Sequence, residues 1–282
     1  MRHRATILIG ALILTSVCVW LASWSHEPRY QGRRLTSWIR DLQGKGLAER
    51  VRAEEAVRRI GTNGLPVLRR QLYVEDSTLK VAVLRLLWRQ DRIRLRALLA
   101  RGWHVRAALA CGVLGAEAQP LIPDLLEMAK GDFVHFEVAV SALSQIGEVA
   151  VPQLLAGLTN GNARVRQAAT RTLGAIGPKA KTAVPALVGS LRDPDDQVRV
   201  NACAALGAIG VGSPEVVSAL AAALGDKNSD VRDNVVAALG ELGLQAKEAV
   251  PALMRMLSDP DELVRFAVTN ALDAIPQTTR QH

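Results

Sequence analysis

The sequence predicts an all-α fold: a right-handed α-solenoid of stacked helix pairs behind one N-terminal transmembrane helix. Three observations predict it. One phrase occurs four times, the repeated unit carries two apolar periodicities of helical spacing, and an uncharged stretch of bilayer length stands near the N-terminus. Residues 193–210 read DPDDQVRVNACAALGAIG. The phrase returns as NGNARVRQAATRTLGAIG over 160–177, DKNSDVRDNVVAALGELG over 226–243 and SDPDELVRFAVTNALDAI over 258–275.

The N-terminal element comes first. MRHR precedes 20 residues without a charge, from Ala5 to Trp24. A helix of that length spans about 30 Å, the hydrocarbon thickness of a bilayer. Trp20 and Trp24 stand toward its far end, where amphipathic rings favour the interface. A cleaved signal peptide and an uncleaved signal anchor both fit residues 1–25. The apolar run exceeds a typical signal core, and Ser23-Trp24-Ser25 is a poor cleavage site, which favours the anchor. Arg2 and Arg4 argue for a cytoplasmic N-terminus, whereas Arg29, Arg33 and Arg34 pull the opposite way. A four-residue leader ordinarily stays inside, so the expected location of the solenoid is outside the cytoplasm, on the periplasmic side.

Residues 26–46 read as a linker with a capping helix, in which Leu35, Trp38, Ile39 and Leu42 share one face. The repeats fill 47–276, and 277–282 form a short tail. A glycine closes each phrase, at Gly61, Gly115, Gly147, Gly177, Gly210 and Gly243, with Pro276 in the last equivalent place. The intervals are 54, 32, 30, 33, 33 and 33, so the first holds a unit plus an insertion within 73–101. Fixed periods of this size mark stacked supersecondary units.

Within each unit the first periodicity is short. Val151, Leu154, Leu155 and Leu158 lie at i, i+3, i+4 and i+7, as do Val184, Leu187, Val188 and Leu191. That is one face of an α-helix. Pro66, Pro123, Pro152, Pro185 and Pro251 stand near the start of these helices, where a missing N–H costs nothing. One unit starts with Ser213-Pro214-Glu215 instead: a cap, a first-turn proline and a carboxylate at the positive helix end. The second periodicity, Val198, Ala202, Ala205, Leu206 and Ile209, marks a second helix that the glycine ends. Two-residue alternation is absent, so strands are not expected.

Between the helices lies a polar turn. Asp193 precedes Arg199 by six residues, Asp226 precedes Arg232, Asp259 precedes Arg265, and Asn160 precedes Arg166. Such a residue can accept hydrogen bonds from an arginine of the following helix or of a stacked neighbour, forming a ladder along the array. The unit ending at Gly147 carries Phe136 at the arginine station and should break it.

The first-helix proline, the turn aspartate and the arginine six residues on resemble the HEAT repeat. The VRxxAxxALGxIG wording is closest to the short HEAT-like type of bilin lyases. The leader from Tyr30 to Ile39 resembles the lead-in of membrane-anchored bacterial HEAT-repeat proteins. The resemblance covers roughly 47–276 and implies a concave face lined by second helices. On that implication the outward stations are Gln167 and Arg171, Val200 and Ala204, Asp233 and Ala237, Phe266 and Asn270. A partner protein bound there by a non-catalytic scaffold is the expected function.

Other chemistries are weakly represented. Cys18, Cys111 and Cys203 form no C-x-x-C pair, which speaks against a zinc site or a disulfide framework. His104 and His135 occupy matching stations, as solvated turn residues or as a pair sharing a ligand. Iron-binding HEAT-like hydroxylases use several His-Glu pairs, and only His26-Glu27 has those letters here. No phosphate loop, G-x-S-x-G or H-E-x-x-H occurs. The expectation is no catalytic residue, cofactor or metal. An accessory role beside a lyase-like enzyme is a third reading.

Net charge is +8 and uneven: 21 Lys/Arg face 8 Asp/Glu over 1–106, against 14 and 19 over 107–282. Arg85, Arg89 and Arg92 share one helix face and form a basic patch. It suits anionic lipid beside the anchor, or nucleic acid as the less favoured partner.

Overall fold

A computed structural model describes residues 27–44, 46–73 and 100–275. The signal-anchor segment, the Arg85–Arg89–Arg92 patch and the tail lie outside the described residues. The chain enters through a two-residue antiparallel hairpin, β1 (Arg29–Tyr30) paired with β2 (Arg33–Arg34). This small strand pair departs from the all-helical expectation. Gln31 and Gly32, both at positive φ, make its turn. Helix α1 (Leu35–Asp41) follows and buries Leu35, Trp38 and Ile39 against α2 (Leu47–Ile60). The Trp38 Nε1–H donates to the Tyr30 carbonyl at 3.1 Å, which ties the hairpin to the cap.

After α3 (Leu65–Leu72) the described chain resumes at α4 (Ala100–Leu114). First and second helices then alternate: α5 (Ile122–Met128) and α6 (Phe133–Ile146), α7 (Val151–Gly157) and α8 (Ala163–Ile176). The series continues with α9 (Val184–Ser190) and α10 (Asp196–Ile209), α11 (Pro214–Ala223) and α12 (Ser229–Leu242), α13 (Val250–Met256) and α14 (Glu262–Ala274).

Every second helix before the last stops for the same local reason. Gly61, Gly115, Gly147, Gly177, Gly210 and Gly243 all have positive φ, a region that a Cβ disfavours. Five of these glycines lead directly into a short 3-10 segment, such as Gly177–Ala183, before the next first helix. At Gly210 the chain instead turns through 211–213, and the Ser213 side chain accepts from the Val216 N–H at the start of α11. The N-caps of the second helices are also repeated. Asp132, Asn162, Asp195, Asn228 and Asp261 each accept a first-turn N–H, which satisfies donors that have no partner within the helix.

The second helices form one continuous layer, α8 on α10 on α12 on α14. A glycine in three of the four phrases sets their spacing. A Cβ on Gly174 would stand 3.0 Å from the Ala205 Cα, and one on Gly207 3.0 Å from the Ala238 Cα. Gly240 meets Ala271 in the same way at 3.4 Å. Backbones therefore approach closely, and the core between them is built of alanine, leucine and valine. Leu173, Leu206 and Leu239 are fully buried between the two helix layers. Cys111 and Cys203 are buried too, and burial pushes both thiols up to about 12. One helix pair could not enclose this core, so each unit depends on its neighbours.

Candidate interaction surface

The polar edge of the array is the turn layer. Arg166 on α8 donates from Nε and Nη2 to both carboxylate oxygens of Asp193, each at 2.8 Å. Arg199 meets Asp226 at 2.7 and 2.9 Å, and Arg232 meets Asp259 at 2.8 and 2.9 Å. Every rung joins an arginine to the turn of the next unit. The fork's third nitrogen turns back to its own unit: Nη1 of Arg166, Arg199, Arg232 and Arg265 donates to the carbonyls of Asn160, Asp193, Asp226 and Asp259.

The aspartates are shaped for this role. Oδ1 of Asp193, Asp226 and Asp259 also accepts the N–H two residues on, closing an Asx turn at 2.8–2.9 Å. Hydrogen bonds from Arg199 and Arg232 hold the Asp226 and Asp259 carboxyls below the ordinary carboxylate range, although burial opposes them. Burial is the largest influence on Asp193, yet the Arg166 bonds prevail and its carboxyl is lowered as well. Arg199 is the most enclosed of these arginines, and it also donates to a second carboxylate, Asp196, at 2.6 Å.

The ladder stops at the unit closed by Gly147. Asn160 keeps the Asx turn, its Oδ1 accepting from the Asn162 N–H at 2.9 Å, but it offers no carboxylate. Phe136, at the arginine station, is buried beneath the Arg164 and Arg171 guanidinium groups, 4.8 and 5.7 Å from its ring centroid. Both ends of one rung have thus changed together. In the same region His104 Nδ1 lies 2.6 Å from His135 Nε2, and His135 Nδ1 lies 2.8 Å from Asp132 Oδ1. The two histidines are in direct hydrogen-bond contact, too close to hold an ion between them. Among the described residues no group of three or more His, Cys, Asp or Glu is arranged for a metal. Arg106 packs over Trp103 and donates to the Gln43 side chain at 3.1 Å, so it belongs to the packing around the cap.

The second-helix stations divide into two sets. Arg171, Ala204, Ala237 and Asn270 are exposed, as are Ala175, Ala208, Glu241 and Ala274 four residues further along. They form one accessible face over four successive helices. The other expected outward set requires correction. Gln167 is buried: its Nε2 donates to the Asp195 cap at 2.8 Å and its carbonyl accepts from Asn201. Val200 packs against the core, and Asp233 is half-buried, its carboxyl raised by burial and by the nearby Asp230 and Asp261. These stations face the next helix of the stack rather than solvent. Phe266 alone in that set is exposed, at 68%. Sequence reasoning missed Glu137, which the Arg171 fork grips at 2.6 and 2.9 Å across the unit boundary.

Paired helix layers, a repeated capped turn and one open helical face define an α-solenoid repeat protein. The chain belongs to the HEAT-repeat family, whose model matches residues 122–199, 151–239 and 222–281. Among solved structures, the chain is similar to Kap121p at 15% identity and a TM-score of 0.52, over 86% of this chain and 33% of that one. It is also similar to the complex of CpcE and CpcF of phycocyanin lyase from Nostoc sp. PCC7120, at 27% identity and a TM-score of 0.48, over 54% and 98%. A designed armadillo repeat protein in complex with peptide (KR)4 matches at 19% identity and a TM-score of 0.41, over 86% and 100%. The curated proteins contain no match to this sequence.

Proposed function

We propose that this protein is a non-catalytic interaction scaffold, tethered to a membrane by residues 5–24, that binds a protein partner along the open face of its second helices. The observation that carries the reading is the accessible row of Arg171, Ala204, Ala237 and Asn270, backed by Ala175, Ala208, Glu241 and Ala274. Its residues are mostly small, so a partner segment can approach the helix backbones closely over several units. The ladder beneath holds those units in one register, which presents the face as a preformed surface and reduces the ordering cost of binding.

Photoreactive residues placed at 204 and 237, and as a control at exposed Lys181 in the 3-10 segment before α9, test this in cells. The expected result is a common adduct at 204 and 237 and none at Lys181. Adducts confined to Lys181, or none at either face position, would contradict the proposal. Tethering with the solenoid outside the cytoplasm rests on the apolar segment and its four-residue leader. A reporter active only outside the cytoplasm, fused after His282, is expected to be active; an inactive but stable fusion would place the array inside.

A further inference from the structure

We propose that the end of the array formed by α13 and α14 is a second docking surface, for a partner helix pair whose inter-helix turn carries an aspartate. The partner would sit there as each interior unit sits on the one before it. This surface is distinct from the open face of the second helices.

The interior units show what a covered end looks like. Leu158, Leu191 and Leu224 occupy one station of successive first helices and are 7%, 6% and 4% exposed. Leu257, at the same station of α13, is 44% exposed. Met254 beside it is exposed, whereas its counterparts Leu155, Val188 and Ala221 pack against the core. On α14, Phe266 is 68% exposed, while Gln167, three units earlier at the same station, is 9% exposed. Three large apolar side chains, Met254, Leu257 and Phe266, therefore share one end, which is unlike scattered single exposures on an ordinary surface.

Charge specifies what should cover them. Arg166, Arg199 and Arg232 each present Nε and Nη2 as a fork to a carboxylate of the following unit. Arg265 is held in the same pose, its Nη1 bonded to the Asp259 and Pro260 carbonyls at 2.7 and 3.1 Å. Among the described residues no carboxylate meets its remaining edge. A preset guanidinium fork is the geometry that takes a carboxylate in two bonds. The matching occupant offers an aspartate in a turn, with an amphipathic helix on either side to cover Met254, Leu257 and Phe266. A second copy fits poorly. Two-fold pairing of this end would set Arg265 against itself, and the opposite end of the array is covered by α1.

The probe is a labelled peptide copying residues 211–243 of this chain, which carries Asp226 in its turn. It is titrated into the full chain in mild detergent, with anisotropy reporting binding and circular dichroism reporting helix gained. The expected result is saturable binding that Arg265→Gln weakens at least about tenfold, with a similar loss when the peptide carries Asp226→Asn. The two changes together should cost little more than either alone. Phe266→Glu, at an exposed position, should also weaken binding without lowering the melting temperature. No saturable binding, or binding indifferent to Arg265→Gln and Phe266→Glu alike, would overturn the proposal. So would a full chain that sediments as a dimer and becomes monomeric with Phe266→Glu, because a second copy would then cover this end. Crosslinking at 204 and 237 reads the other face, so the two proposals fail independently.

Discussion

The units closed by Gly177, Gly210 and Gly243 and those closed by Gly115 and Gly147 share one fold but join their turns differently. In the first group, three forked arginine–aspartate rungs run from Arg166 to Asp259. In the second, Phe136 fills the arginine station under two borrowed guanidinium groups, and His104, His135 and Asp132 form a chain of their own. The contact between α6 and α8, where the rung is missing, is also thinner than those of α8 with α10 and α10 with α12. The difference shows that helix stacking specifies the solenoid and that the turn chemistry tunes how firmly neighbours are locked. Coordinated change of Phe136 and Asn160 follows from the same physics: a turn aspartate that had lost its arginine would be a poorly solvated, unpaired charge.

Breaking a rung should produce the largest effect. Arg199→Leu removes a nearly buried guanidinium and leaves Asp226 and Asp196 without it. Urea unfolding should show a loss of about 3 kcal/mol, since removing one member of a buried pair strands the other. Arg199→Leu with Asp226→Leu should recover much of that loss. A double variant as unstable as the single one would mean that the rung acts through packing alone.

Acid should separate the two regions more gently. The Asp226 and Asp259 carboxyls are lowered in the folded state by their arginines. Their contribution is complete above the unfolded carboxylate value of about 3.9 and is lost as pH falls through the lower folded values. Hydrogen exchange between pH 5 and 2.5 should therefore show protection declining first in α10, α12 and α14. Earlier decline in α4 and α6 would contradict a ladder as the source of acid sensitivity.

The smallest expected effect sharpens the comparison by rebuilding the missing rung. Asn160→Asp alone should be close to neutral, because the Asx turn survives. Phe136→Arg alone should destabilise by the loss of a buried ring. Together they should show a favourable coupling of about 1 kcal/mol in a double-mutant cycle. Zero coupling would mean that the backbone between α6 and α8 no longer permits a rung.

Much of this organisation was legible locally. The closing glycines, the first-helix prolines and the two apolar stripes act within a few residues, so the sequence pattern places them without a neighbour. The aspartate and arginine stations were also legible, but their pairing was not. A separation of six residues within a unit and of 27 to the next one are equally compatible with the sequence, and only the stack shows carboxylates reaching forward. Gln167 was misread for the same reason: helical phase puts it on an outer face, and the crossing of α10 buries it. The close contacts of Gly174 and Gly207 have a visible signal, the Leu-Gly pair in three of the four phrases, whose meaning depends on the alanine opposite. The two-residue strands at Arg29 and Arg33 are too short for any alternation to announce.

On this account the ladder locks the α8 to α14 units into one register, locally and independently of α4 and α6. Two buried thiols, with pKa values pushed up to about 12, report on the two regions: Cys203 on α10 and Cys111 on α4. In a Cys18→Ser background, native-state alkylation at pH 7.5 should modify Cys203 more slowly than Cys111. Arg199→Leu should accelerate Cys203 by about 100-fold, the factor corresponding to ~3 kcal/mol, and leave Cys111 within a few-fold of its original rate. Equal acceleration at both cysteines, or none at Cys203, would contradict a ladder that acts unit by unit.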